Sequence, residues 1–160
     1  MTRLLCALCP LLCLAAAEPA APSTPPGPPG PSRFTAVDLF IDPKGQPLAA
    51  YQLEFAAETG RISLVGVEAG ESGPYAKRPP YYDPAALAGH RIILGDYTLD
   101  PAAPNTRTRV ARLMLELRGD APPQYVTRLM TAADPNGHLI AAEISVIPTA
   151  STQSRSGDKQ

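Results

Sequence analysis

Apolar and polar residues alternate with a period of two along most of the chain between residues 33 and 148. Successive side chains of a β-strand point to opposite faces of a sheet, so this period is typical of strands that bury one face. The pattern predicts seven strands, at residues 34–42, 50–57, 61–68, 91–99, 108–118, 124–131 and 138–147.

The segment 108–118 has the clearest alternation and predicts which side chains face the core. Its inward side chains would be Ala111, Leu113, Leu115 and Leu117, and its outward ones Arg112, Met114, Glu116 and Arg118. The same reasoning assigns to the core Val37, Leu39, Ile41, Tyr51, Leu53, Phe55, Ile140, Ala142, Ile144 and Val146. Composition alone would also allow a helix over 107–118, but the period of two favours a strand.

Turn-forming residues separate the predicted strands. Asp42-Pro43 followed by Gly45, and Asp-Pro-Asn-Gly at residues 134–137, are strong turn signals. The alternation of 61–68 breaks near Gly66, which predicts a β-bulge. Short strands joined by turns predict an all-β fold, an antiparallel β-sandwich of about seven to nine strands, with a mixed α+β domain as the alternative.

The first seventeen residues have the organisation of an export signal. Arg3 precedes an apolar run over 4–14, and residues 15–17 offer a small-residue cleavage site. This arrangement is typical of a secretory signal peptide cut before Glu18, and it predicts a periplasmic or extracellular protein. Acylation of Cys13, as in bacterial lipoproteins, is the alternative.

A proline-rich segment and a polar tail flank the predicted domain. Seven of the fifteen residues 18–32 are proline, which favours an extended polyproline II linker. Residues 149–160 are mostly polar and predict a disordered tail, which leaves 33–148 as the folded domain. All three cysteines lie within residues 1–17, so cleavage would leave a mature chain without thiol chemistry.

Charge argues against a nucleic-acid partner, and the length of the apolar runs argues against membrane insertion. The net charge is −1, and acidic and basic residues are interspersed rather than gathered into a basic stripe. Nucleic-acid backbones require such a stripe, so we expect no nucleic acid as a partner. Outside residues 1–17 no apolar run approaches the roughly 20 residues that a spanning helix needs, so we expect no stable membrane insertion of the mature chain.

Four stretches, in this order, resemble the cohesin-like group of bacterial β-sandwiches, which are related to carbohydrate-binding modules. They are AAYQLEFAAETGRISLVGVEAGE, RIILGDYTLD, RTRVARLMLELRG and AADPNGHLIAAEISV, and the likeness covers residues 34–147. Members of the group usually have about nine strands, against the seven predicted here. Another immunoglobulin-like sandwich is the main alternative assignment.

The resemblance implies binding rather than catalysis. Classical cohesins dock a calcium-loaded partner module called dockerin, and no dockerin-contacting residue can be matched to a position of this chain. The chain also lacks the repeated D-x-N-x-D-G pattern of a dockerin. The resemblance therefore implies a docking domain without naming its partner.

A cluster of tyrosines provides the most distinctive candidate binding site. The long irregular segment 70–89 carries Tyr75, Tyr81 and Tyr82, with Lys77 and Arg78 beside them. Tyrosine combines a flat apolar face with a polar tip, which suits contacts with proteins and with sugars. The alternative is that these rings cover one end of the sandwich. The absence of tryptophan weakens the carbohydrate interpretation.

Residues suited to catalysis or metal binding are scattered. The candidates are His90, His138, Ser63, Ser72, Asp83, Asp96 and Asp100, and for calcium Asp134 and Asn136. No G-x-S-x-G elbow surrounds either serine, and two oxygen ligands are too few for calcium. We expect no cofactor and no catalytic residue.

These observations predict an exported, non-enzymatic binding or scaffold module that contacts an exported or cell-surface protein. A carbohydrate-binding module, whose partner would be a polysaccharide, is the first alternative. A small exported hydrolase is the second.

Overall fold

The computed structural model describes residues 32–59 and 61–149. The predicted signal peptide, the proline-rich segment before residue 32 and the tail from residue 150 lie outside the described residues. Within the described ranges the strands are β1 (Ser32–Asp42), β2 (Ala50–Thr59), β3 (Arg61–Glu68), β4 (Arg91–Tyr97), β5 (Thr108–Arg118), β6 (Gln124–Ala133) and β7 (Glu143–Thr149). Two short 3₁₀ helices, Gly73–Ala76 and Pro84–Ala86, lie between β3 and β4.

The strands form two antiparallel sheets. Sheet A has the order β3-β5-β1-β7, and sheet B has the order β4-β2-β6. The fold is an all-β sandwich, as the alternation predicts, and the segment that composition would allow as a helix is strand β5. No helix in the described part of the chain is long and apolar enough to cross a membrane.

The core lies between the inward faces of the two sheets. Side chains with at most 1% of their surface exposed include Val37, Leu39, Ile41, Leu53, Phe55, Leu64, Leu94, Leu113 and Leu115. Burying a side chain of this size contributes roughly 1.5–3 kcal/mol relative to leaving it exposed. The predicted inward faces of β1, β2 and β5 are therefore confirmed.

Two register irregularities adjust sheet A. The pairing of β3 with β5 shifts between Leu64 and Gly66, which confirms the predicted bulge and leaves Val65 44% exposed. The pairing of β1 with β5 shifts opposite Leu39, and there both Val110 and Ala111 are buried. This second irregularity lies near the start of β5, where the neighbouring residues Val110 and Ala111 are both buried.

The start of the last predicted strand is wrong. The strand begins at Glu143 rather than at His138, whereas every other predicted strand boundary agrees to within two residues. Residues 138–142 pair with β6 through a single bridge between Ala133 and Leu139. The physical reason is topological, because β6 belongs to sheet B and β7 to sheet A, and these residues carry the chain across.

The predicted phase of that segment is nevertheless confirmed. Side chains that pack against the core from it are Ile140, Ala142, Ile144 and Val146. The tight turn before it is also present, since the Gly137 N–H donates to the Asp134 carbonyl at 3.0 Å. Hydrophobic alternation thus reports the faces correctly on both sides of the crossing.

A nearly buried ion pair lies on the outer face of sheet A. Arg112 donates from Nε and Nη2 to the two oxygens of Asp38, at 2.7 and 3.0 Å. The Nη1 atom of Arg109 lies 3.7 Å from Oδ2 of Asp38. Asp38 is 9% exposed. These hydrogen bonds hold the pKa of the Asp38 carboxyl below its ordinary value of 3.8, against the opposing effect of burial.

Candidate binding site

The segment between β3 and β4 is anchored to sheet A at its beginning. The Gly70 N–H donates to the Tyr75 carbonyl, and the Glu71 N–H donates to the Arg109 carbonyl. The Arg109 N–H donates in turn to the Glu71 carboxylate at 3.0 Å. A β-carbon on Gly70 would lie 2.4 Å from the Arg109 carbonyl oxygen, so the approach requires glycine. This part of the segment is therefore a fixed element of the fold.

Tyr75 is a core residue. Only 1% of it is exposed, its hydroxyl donates to the Leu48 carbonyl at 2.8 Å, and its ring meets that of Tyr51 edge-on at 5.4 Å. Burial raises the pKa of both phenols above the ordinary value of 10.0, and the nearby Asp96 carboxylate raises them further. The expectation that Tyr75 contacts a partner does not fit this position, because a buried ring is not accessible.

Tyr75→Phe should lower the free energy of unfolding by about 1–2 kcal/mol, since the buried Leu48 carbonyl loses its donor while the ring volume is kept. Urea denaturation of the full chain measures the difference. Tyr97→Phe removes the same atom from a side chain that is 58% exposed and should change stability by less than about 0.5 kcal/mol. Equal effects of the two variants would contradict the anchoring role of Tyr75.

Tyr81 extends the edge of sheet B by one residue. Its N–H donates to the Gly95 carbonyl at 2.8 Å, and the Gly95 N–H donates back to the Tyr81 carbonyl at 3.0 Å. Side chains of directly opposed residues lie on the same face of a sheet, and Gly95 is the outward neighbour of Gln52 on β2. The pairing therefore places the Tyr81 ring on the outer face of sheet B.

Two exposed aromatic rings lie side by side there, and we call them, together with Arg78, the tyrosine platform. The rings of Tyr81 and Tyr97 are 59% and 58% exposed, their centroids are 6.5 Å apart, and their planes differ by 15°. The Arg78 guanidinium carbon lies 4.1 Å from the Tyr81 ring centroid, within the range of a cation–π contact. The platform thus presents aromatic surface and a positive charge together.

A buried carboxylate holds Arg78 in place. Arg78 Nη2 donates to Asp96 Oδ1 at 2.7 Å, and the Asp96 side chain is 4% exposed. The same oxygen accepts from the Tyr97 N–H at 2.8 Å. A charge-assisted bond to a desolvated carboxylate is among the stronger hydrogen bonds, so the platform is fixed from below rather than by solvent-exposed contacts.

A cleft of about 520 Å³ opens beside the platform along β4. Its lining includes Gln52, Tyr81, Tyr82, Asp83, Ala86, Arg91, Ile93 and Gly95. Gly95 leaves backbone exposed in the lining, and Tyr82 is half-buried because it also packs against the core. The cleft is thus an open groove with apolar walls and polar groups along it.

The acidic groups around the cleft already have partners. Asp83 caps the second 3₁₀ helix by accepting from the Ala85 N–H at 2.9 Å. Glu54 receives guanidinium groups from Arg91 and Arg128, and the hydrogen bond from Arg91 is the main reason its pKa lies below the ordinary value. Asp83 is therefore the N-cap of that short helix.

The structure brings together only part of the predicted tyrosine cluster. Tyr81 and Tyr82 line the cleft, whereas Tyr75 lies beneath it in the core. Tyr97 completes the platform although the tyrosine cluster of segment 70–89 does not include it. The alternation of β4 places the Tyr97 side chain on the outward face, and this could have identified Tyr97 as a surface tyrosine.

The candidate calcium ligands Asp134 and Asn136 belong to a tight turn. Asp134 accepts from the N–H groups of Asn136 and His138 at 2.8 and 2.9 Å, which is the hydrogen bonding of a tight turn. His90 is exposed, and Ser72 precedes the first 3₁₀ helix as its N-cap. Among residues 32–59 and 61–149, no three His, Cys, Asp or Glu side chains are grouped to hold a metal ion.

Comparison with protein-family models, with curated proteins and with solved structures finds no match for this chain. The cohesin-like resemblance therefore stays a prediction from residues alone. The function is accordingly argued from the geometry of the platform and the cleft.

Proposed function

We propose that this chain is an exported, non-enzymatic binding module that holds a protein partner on the tyrosine platform. The observation that carries the proposal is the pair of exposed, nearly parallel rings of Tyr81 and Tyr97 beside an open cleft. Tyrosine and arginine are the side chains most enriched, with tryptophan, among the residues that dominate binding energy at protein interfaces.

Rigidity supports this role for the platform. Tyr81 is tied to β4 by two backbone hydrogen bonds, and Arg78 is tied to buried Asp96. A contact surface that is ordered before binding loses less conformational entropy when the partner arrives. Arg78 also keeps its exposed half available, since 41% of its side chain is accessible.

The state of the neighbouring carboxylates favours binding over hydrolysis. A glycosidase needs two carboxyl groups that face a substrate, one of them free to donate a proton. Near the platform, Asp96 is committed to Arg78, Asp83 caps a 3₁₀ helix, and Glu54 is paired with two guanidinium groups. For Glu54, the hydrogen bond from Arg91 holds the pKa of the carboxyl below its ordinary value.

A polysaccharide is the second candidate partner, and the parallel rings favour it specifically. Flat aromatic faces suit the apolar faces of sugar rings, and Gln52 and Arg91 in the cleft wall supply hydrogen-bond donors for hydroxyl groups. The cleft is also open to solvent, so a polymer longer than the cleft could enter it.

Replacing Tyr81 and Tyr97 together by alanine should weaken partner capture at least about tenfold, which corresponds to about 1.4 kcal/mol. Both rings are mostly exposed, so the melting temperature should change little. Immobilised full chain is incubated with solubilised surface proteins of its own cell and, separately, with a panel of polysaccharides. Tyr82 is left intact because it packs against the core.

Phe34→Ala is the matched control, since it removes an aromatic ring that is 64% exposed on the other sheet. It should leave capture unchanged. Retention of a polysaccharide but of no protein would favour the second candidate. Unchanged capture by the folded double variant would place the site elsewhere, and turnover of a glycoside or an ester would overturn the binding proposal.

A further inference from the structure

The two tyrosines of the platform form a diagonal cross-strand pair. Tyr81 lies directly opposite Gly95, and Tyr97 follows two residues later on the same outward face of β4. Diagonal neighbours of this kind are about 7–8 Å apart along the backbone, which is within reach of aromatic side chains. The pairing of the backbone therefore brings the two phenol rings together, with centroids 6.5 Å apart and planes that differ by 15°.

The same two tyrosines are the most exposed in the chain. Of its six tyrosines, Tyr81 and Tyr97 are 59% and 58% exposed, and the other four are half-buried or buried. Tyr51 and Tyr75 are at most 3% exposed, and their hydroxyls donate to buried backbone carbonyls. A reagent in solution therefore reaches the phenols of the platform in preference to the others.

Tyrosine is the side chain of this domain that most readily loses a single electron. The chain contains no tryptophan, and its three cysteines all lie within residues 1–17. Residues 33–148 therefore contain neither an indole nor a thiol to compete for a one-electron oxidant. A phenol that loses one electron and its hydroxyl proton becomes a phenoxyl radical. The unpaired electron of that radical is shared with the ring carbons ortho to the oxygen, and two such carbons form a bond when they meet.

The backbone is fixed while the rings are free to turn. The Tyr81 backbone is held to Gly95 by two hydrogen bonds of 2.8 and 3.0 Å. Exposed side chains change rotamer within picoseconds to nanoseconds, so the ortho carbons of the two rings meet often. The fold thus keeps the pair in range without locking it in the stacked arrangement.

We propose that Tyr81 and Tyr97 are a site of oxidative modification, at which a peroxidase using hydrogen peroxide joins the two rings of one molecule into dityrosine. Each phenol loses one electron and one proton, and the two radicals form a bond between ortho carbons. The hydrogen on each of these carbons then moves to the phenol oxygen, which restores both hydroxyls. The two electrons and two protons reduce one hydrogen peroxide to two water molecules. The inference does not rest on the proposed function, because it needs only the position and the exposure of the two rings.

The new bond would attach the segment between β3 and β4 covalently to the edge of sheet B. A link between residues 81 and 97 closes a loop of the chain, and such a link restricts the unfolded state as a disulfide does. Oxidised wild-type chain should therefore melt at a higher temperature than oxidised Tyr97→Phe, which cannot form the bond. Circular dichroism of the two oxidised monomers measures the shift.

Treatment of the full chain with a peroxidase and hydrogen peroxide tests the proposal. The monomer should gain the blue fluorescence of dityrosine and lose the mass of two hydrogen atoms. After digestion with trypsin, the peptides 78–91 and 92–107, which carry Tyr81 and Tyr97, should be found joined. Tyr81→Phe and Tyr97→Phe each keep the ring and remove the phenol, so either change alone should abolish the joined pair.

Tyr82→Phe is the matched control, because it removes the neighbouring phenol, which is half-buried, from the same peptide. It should leave the yield of the joined pair unchanged. Three results would overturn the proposal: no dityrosine in the wild-type chain, dityrosine only in covalent dimers, or a joined pair that persists in Tyr81→Phe.

Discussion

Replacing Leu115 by aspartate is expected to unfold the domain. Leu115 is fully buried in the middle of β5, where it is opposite Thr35 of β1 and Leu64 of β3. The new carboxylate would lie among apolar side chains, and burying it without a partner costs several kcal/mol. Domains of this size are stable by about 5–15 kcal/mol, so circular dichroism should show loss of the cooperative melt or a large fall in its midpoint.

Leu99→Asp is the matched control for that change. It makes the same chemical replacement at a side chain that is 92% exposed, and it should alter the free energy of unfolding by less than about 0.5 kcal/mol. Comparable destabilisation by both variants, or a normal melt for Leu115→Asp, would mean that β5 does not present this face to the core.

Strand phase could be predicted from the sequence because one face of each central strand is buried and the other is exposed to solvent. In β5 the bounds predicted from alternation, 108–118, coincide with those observed. Arg112 and Glu116 face outward between buried leucines, so a shift by one residue would bury two charges. Because burying those two charges would be strongly unfavourable, the phase of the strand can be predicted from one sequence.

Pairing partners could not be predicted in the same way. The alternation of residues 138–147 runs unbroken through the point where the chain passes from sheet B to sheet A. Hydrophobic period reports which side of a segment meets the core, and it is the same before and after the crossing. The Ile140 N–H donates to the Ala132 carbonyl in sheet B, whereas Ile144 pairs with Ile41 in sheet A. These partners depend on the tertiary structure and not on the local sequence pattern.

The candidate site could be predicted only in part for a related reason. A tyrosine is equally compatible with a core and with a surface, so composition does not separate Tyr75 from Tyr81. The platform depends on the pairing of Tyr81 with Gly95, which brings Tyr97 alongside from another strand. The Arg78–Asp96 bond likewise joins two positions that only the folded edge of sheet B brings together.

Asp38→Ala is expected to lower the free energy of unfolding by about 2 kcal/mol at neutral pH. Removing one partner of a buried ion pair leaves Arg112 without its carboxylate. The full penalty for such a break is about 3–5 kcal/mol, and it is reduced here because 29% of the Arg112 side chain reaches solvent. Urea denaturation at pH 7 measures the loss.

Glu143→Ala provides the control, because its carboxylate, 2.7 Å from Lys44, is 74% exposed and its removal should cost at most about 1 kcal/mol. The dependence on pH separates the ion pair from simple packing. The folded pKa of Asp38 lies below 3.8, so its contribution is complete above that value and is lost as pH falls through the folded pKa. The stabilities of the wild-type chain and Asp38→Ala should therefore differ fully at pH 7 and converge below about pH 4. A difference that persists unchanged into acid would mean that Asp38 acts through packing and not through its charge.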